Sequence, residues 1–140
     1  MLDHWILGLA SGAASSLLRP VLLMPIFRAR GTPWKRPAGA QTALLIPPSI
    51  WTLLVLWGAA EGLLFATLDA SIAPIYGSYV LQGLAVGGAS FIVAAPLLAG
   101  WQGLLRILDR KVWIAILLTH LVVGATIGLV IGAWGPYGPA

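Results

Sequence analysis

The chain has 140 residues, of which 59% are hydrophobic and only 9% are charged. Soluble domains carry about 25% charged residues, and a soluble protein of this size could not keep so much apolar surface away from water. The chain contains no cysteine, which excludes disulfides and thiolate metal sites. This composition predicts an integral membrane protein.

The net charge of +4 is distributed as in membrane proteins rather than as in nucleic-acid-binding proteins. Basic residues fall in two short clusters, RARGTPWKR at 28–36 and RILDRK at 106–111, and each lies between apolar runs. Loop Lys and Arg residues collect on the cytoplasmic side of a membrane. We therefore expect no nucleic-acid partner, and we place both clusters in the cytoplasm.

Four apolar segments are long enough to cross a bilayer as helices, which takes about 20 residues each. These segments are 5–27, 44–68, 75–104 and 112–134. They predict an all-α integral membrane protein with a single membrane domain over residues 1–140. Loops 28–43 and 105–111 are then cytoplasmic, whereas both termini and the short loop 69–74 lie outside. The architecture resembles that of small four-span bacterial inner-membrane proteins, which implies that membrane.

The first span contains an interruption at Arg19-Pro20. One interpretation is a proline-kinked span that continues to Phe27, with the long side chain of Arg19 reaching the headgroups, because an arginine in the membrane core is costly. The other is a span that ends near Leu18. We favour the kinked full span.

Every predicted span contains a G-x-x-x-G motif, and residues four apart lie on one helix face. Glycines on such a face let two backbones approach closely, which drives helix association in lipid. The motifs predict a tightly packed bundle with little room for an aqueous pore. The packing glycines are Gly8, Gly12, Gly58, Gly62, Gly83, Gly87, Gly124, Gly128 and Gly132.

Two pairs of segments resemble each other. GLASGAASSLL at 8–18 is similar to GLAVGGASFIV at 83–93, and GAAEGLLFA at 58–66 is similar to GATIGLVIG at 124–132. This pattern favours two tandem helical hairpins related as a parallel internal repeat. The alternative is a chance likeness between spans rich in small residues.

Three intramembrane polar residues, Glu61, Arg19 and His120, are the candidate site residues. At about 1.5 Å per residue, Glu61 lies about 12 Å from the outer boundary and His120 about 13 Å from the inner one. Their depths are similar in a core of about 30 Å. The structural interpretation is that Glu61 is neutral, or is paired with Arg19 or His120, and joins helices. Gln82, Thr119 and Thr126 are expected to form interhelical hydrogen bonds.

Two functional interpretations of these residues stay open. Intramembrane ionisable groups often mark transport routes, so Glu61 and His120 could serve a small oligomeric transporter or a proton or cation channel. Alternatively, His120 could bind a haem iron or a chlorophyll magnesium. Trp57 differs from the other tryptophans because it lies in the middle of a span rather than at its edge.

The sequence contains no constellation typical of a soluble enzyme, neither a Ser-His-Asp set nor a phosphate-binding G-x-x-x-x-G-K-[ST] loop. We therefore expect no enzymatic activity. The first hypothesis is a non-catalytic accessory subunit that packs against other membrane proteins, or copies of itself, within a larger membrane complex such as an energy-converting one. An unused glycine face would be its docking surface. No cofactor is expected beyond bound lipid, unless His120 holds a tetrapyrrole.

Overall fold

The computed structural model describes residues 2–30, 48–76, 78–102 and 110–134, and every secondary-structure element in them is a helix. The elements are α1 (Leu2–Ser16), α2 (Leu18–Arg30), α3 (Pro48–Tyr76), α4 (Tyr79–Gln102) and α5 (Arg110–Trp134). Residues 31–47, 103–109 and 135–140 lie outside the described residues, and with them most of both predicted basic loops and the C-terminal tail.

Four helical segments are long and apolar enough to cross a membrane. They are His4–Pro25, Trp51–Leu68, Tyr79–Leu97 and Trp113–Trp134. Helices are the expected spanning form, because each satisfies its own backbone hydrogen bonds where no water is available. The predicted all-α class is confirmed for the described residues, and the four helical segments that could cross a membrane agree in number with the four predicted spans.

The first span is broken at Leu17, where α1 gives way to α2 through a turn in which Leu17 N donates to the carbonyl oxygen of Ala14 at 3.2 Å. Pro20 explains the position of the break. A proline has no N–H to donate, and its ring clashes with the carbonyl group four residues earlier, which here belongs to Ser16. The apolar segment nevertheless continues to Pro25. The span therefore passes beyond Leu18.

The predicted loop 69–74 is wrong, because α3 continues as a helix to Tyr76. The segment contains no glycine, and its Ser, Ile and Ala residues are all compatible with a helix. Pro74 lies two residues before the end of α3, so the donor that it lacks disturbs only the last turn. The next helix, α4, begins at Tyr79.

The helices pack as an up-and-down bundle in which α1 lies against α3 and α4 lies against α5, and these two pairs have the most extensive contacts. Contacts between α3 and α4 and between α1 and α5 close the ring. A cluster of enclosed apolar side chains packs between these helices. Its members are Phe65, Val86, Val123, Ile127 and Ile131.

Glycines mark the places where backbones approach most closely. Between α1 and α3, Gly8 faces Gly62 and Gly12 faces Gly58, and a methyl group on any of the four would overlap the opposite chain segment. Between α4 and α5, Gly83 faces Gly124 in the same way. Within the described helices, the motif glycines are thus turned towards other helices of the same chain. They leave no open glycine face on the outside there, contrary to the expectation of a glycine docking surface.

The second helix pair is not in the register that the repeated segments imply. The aligned segments place Gly87 opposite Gly124, but Gly87 lies against the carbonyl group of His120. Likewise, Gly128 lies against the carbonyl group of Tyr79, and Gly132 lies against the Tyr79 ring. The contacts of α4 with α5 are therefore displaced by four residues, or about one helical turn, relative to those of α1 with α3.

Candidate functional site

Arg19 and Glu61 form an ion pair inside the bundle, with Nη2 of Arg19 donating to Oε2 of Glu61. Arg19 is only 1% exposed and Glu61 only 4% exposed. The expectation that Arg19 reaches the headgroups is therefore wrong. The break at Leu17 begins a new helix at Leu18, and Arg19, in the first turn of that helix, points into the bundle towards Glu61.

The second carboxylate oxygen of Glu61 is held by two other side chains. Trp57 Nε1 donates to Oε1 at 3.1 Å, and Ser90 Oγ also donates to Oε1. Trp57 Nε1 is in addition 2.8 Å from Ser90 Oγ. Trp57 precedes Glu61 by one helical turn and therefore lies on the same face of α3. Together these groups connect α2, α3 and α4.

His120 is buried on α5 and is fixed by its own helix. Its Nδ1 lies 2.9 Å from the carbonyl oxygen of Ile116. Because a carbonyl oxygen only accepts, Nδ1 of His120 carries the hydrogen of this bond. Phe91 of α4 meets the ring edge-to-face, with centroids 5.9 Å apart.

Arg19, Trp57, Glu61 and Ser90, which we call the Glu61 network, have two cavities beside them. The first, which we call the Arg19 cleft, has a volume of about 370 Å³ and is lined by Arg19, Leu53, Leu54, Trp57, Ala94, Leu97 and His120. The second, which we call the Ala89 groove, has a volume of about 240 Å³ and is lined by Trp57, Ala60, Glu61, Leu64, Ala89, Ser90 and Val93. Trp57 lines both cavities. Residues of α3 and α4 line both cavities, and these two helices contact each other less than α1 and α3 do.

The charges of Arg19 and Glu61 compensate each other, which a buried pair requires because desolvation of each ion is costly. Glu61 is well supplied with donors, since its two oxygens receive hydrogen bonds from three side chains. Arg19 is less well supplied with acceptors. Its Nε and Nη1 atoms are buried and meet no acceptor in the described residues.

The structure brings Arg19 and Glu61 into contact and places His120 on the same cleft as Arg19. Ser90 was missed as a site residue, because nothing in the sequence pairs it with Glu61. The sequence does indicate Trp57 as a candidate site residue, since it is a tryptophan in the middle of a span and one helical turn from a carboxylate.

The expected interhelical roles of Thr119 and Thr126 are wrong. Their hydroxyls donate to the carbonyl oxygens of Ile116 and Val122 within α5. Such bonds to the preceding turn are available to any helical threonine, and they remove the need for a partner on another helix.

Within the described residues, no group of three or more His, Cys, Asp or Glu side chains could hold a metal ion. Comparisons with protein-family models, with curated proteins and with solved structures give no match. The function of the protein must therefore be inferred from the geometry of this chain alone.

Proposed function

We propose that this chain is a small, non-catalytic subunit of a membrane complex that packs against another membrane protein. The observation that carries the proposal is the Ala89 groove. It lies on the outside of the bundle, and two small residues at its edge, Ala60 and Ala89, are exposed. Most other exposed side chains in the described helices are large aliphatic residues that suit acyl chains.

The bundle is suited to a rigid, supporting role. We infer that it consists of two tandem hairpins, each closed through its G-x-x-x-G faces, and that the Glu61 network joins one hairpin to the other. The backbone contacts at Gly8, Gly12, Gly83 and Gly124 support this inference. So does the position of Ser90 on α4, whose hydroxyl bonds a carboxylate of α3.

The occupant that fits the Ala89 groove is a transmembrane helix of a partner protein. Small residues at a helix surface allow another helix to approach closely, and polar groups at such a contact can hydrogen-bond across it. Glu61 and Ser90 line the groove beneath Ala60 and Ala89. A docking helix would therefore meet small residues at the edge of the groove, above polar atoms that are already hydrogen-bonded to one another.

Photo-crosslinking in the native membrane tests this proposal. A photoreactive phenylalanine analogue is placed at Ala89, and the matched control carries it at Leu129, which is 58% exposed and lines neither cavity. We expect Ala89 to give one discrete adduct with a different membrane protein, identified by mass spectrometry, and Leu129 to give none. Adducts with lipid alone, a dimer of this chain, or equal adducts at both positions would contradict the proposal.

A second candidate is a small oligomeric transporter or a proton or cation channel. The observation that favours it is that Arg19 and His120 line the Arg19 cleft, whereas Glu61 lines the neighbouring Ala89 groove. In this candidate Glu61 would release and rebind a cation while His120 relays protons. The three side chains that hold Glu61 favour a fixed strut instead, because an ion-binding carboxylate must exchange its partners.

We further propose that the protein lies in the bacterial inner membrane, with the basic segments 28–43 and 105–111 in the cytoplasm. The clusters of Lys and Arg support this orientation. Because the chain has no cysteine, a single cysteine at Lys111 can be labelled selectively. Labelling of intact cells by a membrane-impermeant maleimide should fail at position 111 and succeed after lysis. Labelling at position 111 before lysis would indicate the opposite orientation and contradict this proposal.

A further inference from the structure

We propose that the Arg19 cleft binds a neutral, lipid-soluble molecule that presents a carbonyl oxygen to Arg19 and places its apolar body between α3 and α4. This inference does not depend on the subunit role, because the Arg19 cleft and the Ala89 groove are separate cavities. It depends on the donors of Arg19, on the charge balance at Glu61 and on the shape of the cleft.

Arg19 has more hydrogen-bond donors than its protein partners use. A guanidinium group has five N–H donors, and Arg19 uses Nη2 on Glu61. Its Nε and Nη1 are buried and meet no acceptor in the part of the chain that the structure describes. Buried donors almost always have a partner in native proteins. Arg19 lines the cleft, so an acceptor on a bound molecule can supply what the protein does not.

The charge balance selects a neutral acceptor. Glu61 already neutralises Arg19, and the surroundings are apolar. A carboxylate or phosphate bound at Arg19 would add a second negative charge near Glu61, and such repulsion is weakly screened in a medium of low dielectric constant. A carbonyl oxygen accepts the same hydrogen bonds without that charge. The ligand chemistry is therefore that of a quinone or an ester carbonyl.

The shape of the cleft selects an apolar body that arrives from the bilayer. Leu53 and Leu97 are 41% and 58% exposed at its edge, on helices that face lipid. The volume of about 370 Å³ lies within the range of small-molecule sites, roughly 300–1,000 Å³. The Trp57 ring adds an aromatic surface to a lining that is otherwise mainly aliphatic.

A binding experiment on the purified, detergent-solubilised chain tests the proposal. The neutral probes are a decyl-substituted benzoquinone and dioctanoylglycerol, and decanoate is the anionic probe with a comparable apolar chain. Leu97→Trp fills the edge of the cleft at an exposed position. The matched control is Leu118→Trp, because Leu118 is 54% exposed and lines neither cavity.

We expect saturable binding of at least one neutral probe, weakened about tenfold or more by Leu97→Trp and changed less than about twofold by Leu118→Trp. Preference for the benzoquinone identifies a quinone as the natural source of the carbonyl, and preference for dioctanoylglycerol identifies an acyl lipid. Circular dichroism of both variants establishes that the helices are intact. The proposal is overturned if neither neutral probe saturates, if both variants bind equally, or if decanoate binds most tightly.

Discussion

Replacement of Glu61 by leucine should destabilise the bundle more than replacement of Arg19 by leucine, although the two side chains form one ion pair. In Glu61→Leu, Arg19 stays charged, because an arginine does not lose its proton in a protein. It is 1% exposed and would have no counter-charge among the described residues. Removing one partner of a buried pair costs about 3–5 kcal/mol, and we expect a loss of that size.

Arg19→Leu should cost less because the remaining partner can adapt. Glu61 would keep the hydrogen bonds donated by Trp57 and Ser90. It can also take up a proton, which removes the unpaired charge from the apolar interior. The remaining loss is that of one charge-assisted hydrogen bond and some packing, about 1–3 kcal/mol.

The double variant Arg19→Leu/Glu61→Leu completes the cycle. It leaves no buried charge at either position, and Trp57 Nε1 keeps Ser90 Oγ as an acceptor at 2.8 Å. We expect it to be more stable than Glu61→Leu alone, because apolar replacement of a buried pair is often close to neutral. Unfolding in mixed micelles by titration with sodium dodecyl sulfate measures the four free energies. Additive single-variant losses would refute the ion pair, since they would mean that the two side chains do not interact.

Further experiments on the purified protein test the glycine packing, the transporter alternative and the binding of a tetrapyrrole. Gly12→Ala should lower the free energy of unfolding by about 1–3 kcal/mol, because the new methyl group meets the backbone of Gly58. Gly88→Ala should cost nothing, since the nearest atom there is a leucine carbon at 3.8 Å. Equal losses in the two variants would contradict close packing at Gly12. Proteoliposomes should show no proton or cation flux that depends on Glu61, and a flux abolished by Glu61→Gln in a folded protein would favour the transporter. The purified protein should show no visible absorption band, and a band removed by His120→Leu would favour a bound tetrapyrrole.

The number of membrane-crossing helices could be predicted from the sequence, because apolar length is a local property that the bilayer thickness fixes. Helix ends were less predictable. Asp69 and Pro74 suggested a loop, but α3 continues to Tyr76, since one proline near a helix end removes only one donor. The break after Ser16 is caused locally by Pro20, so the sequence Arg19-Pro20 predicts an interruption of the first span.

The partners of the polar residues could not be predicted to the same extent. The similar depths of Glu61, Arg19 and His120 follow from counting residues along helices of fixed rise. Which of them meet depends on how each helix is rotated about its axis, and that rotation is set by packing between distant parts of the chain. Ser90 reaches Glu61 only because α4 presents that face to α3.

The helices that the glycine faces contact could not be predicted for a related reason. A G-x-x-x-G motif indicates close approach to some helix, but it does not say whether that helix belongs to the same chain. In this bundle α1 and α3, and likewise α4 and α5, are mutual partners. The external contact surface that we propose, the Ala89 groove, lies instead between α3 and α4.

Solid-state NMR in lipid bilayers tests most directly the claim that Glu61 is a fixed structural link bound to Arg19. Glu61 is the only glutamate in the chain, so ¹³C-labelled glutamate reports a single side-chain carboxyl carbon. With ¹⁵N-labelled arginine, we expect strong dipolar coupling between that carbon and a guanidinium nitrogen, together with the chemical shift of an ionised carboxylate, and loss of the coupling in Arg19→Gln. A protonated carboxyl group without coupling to any arginine would contradict the claim.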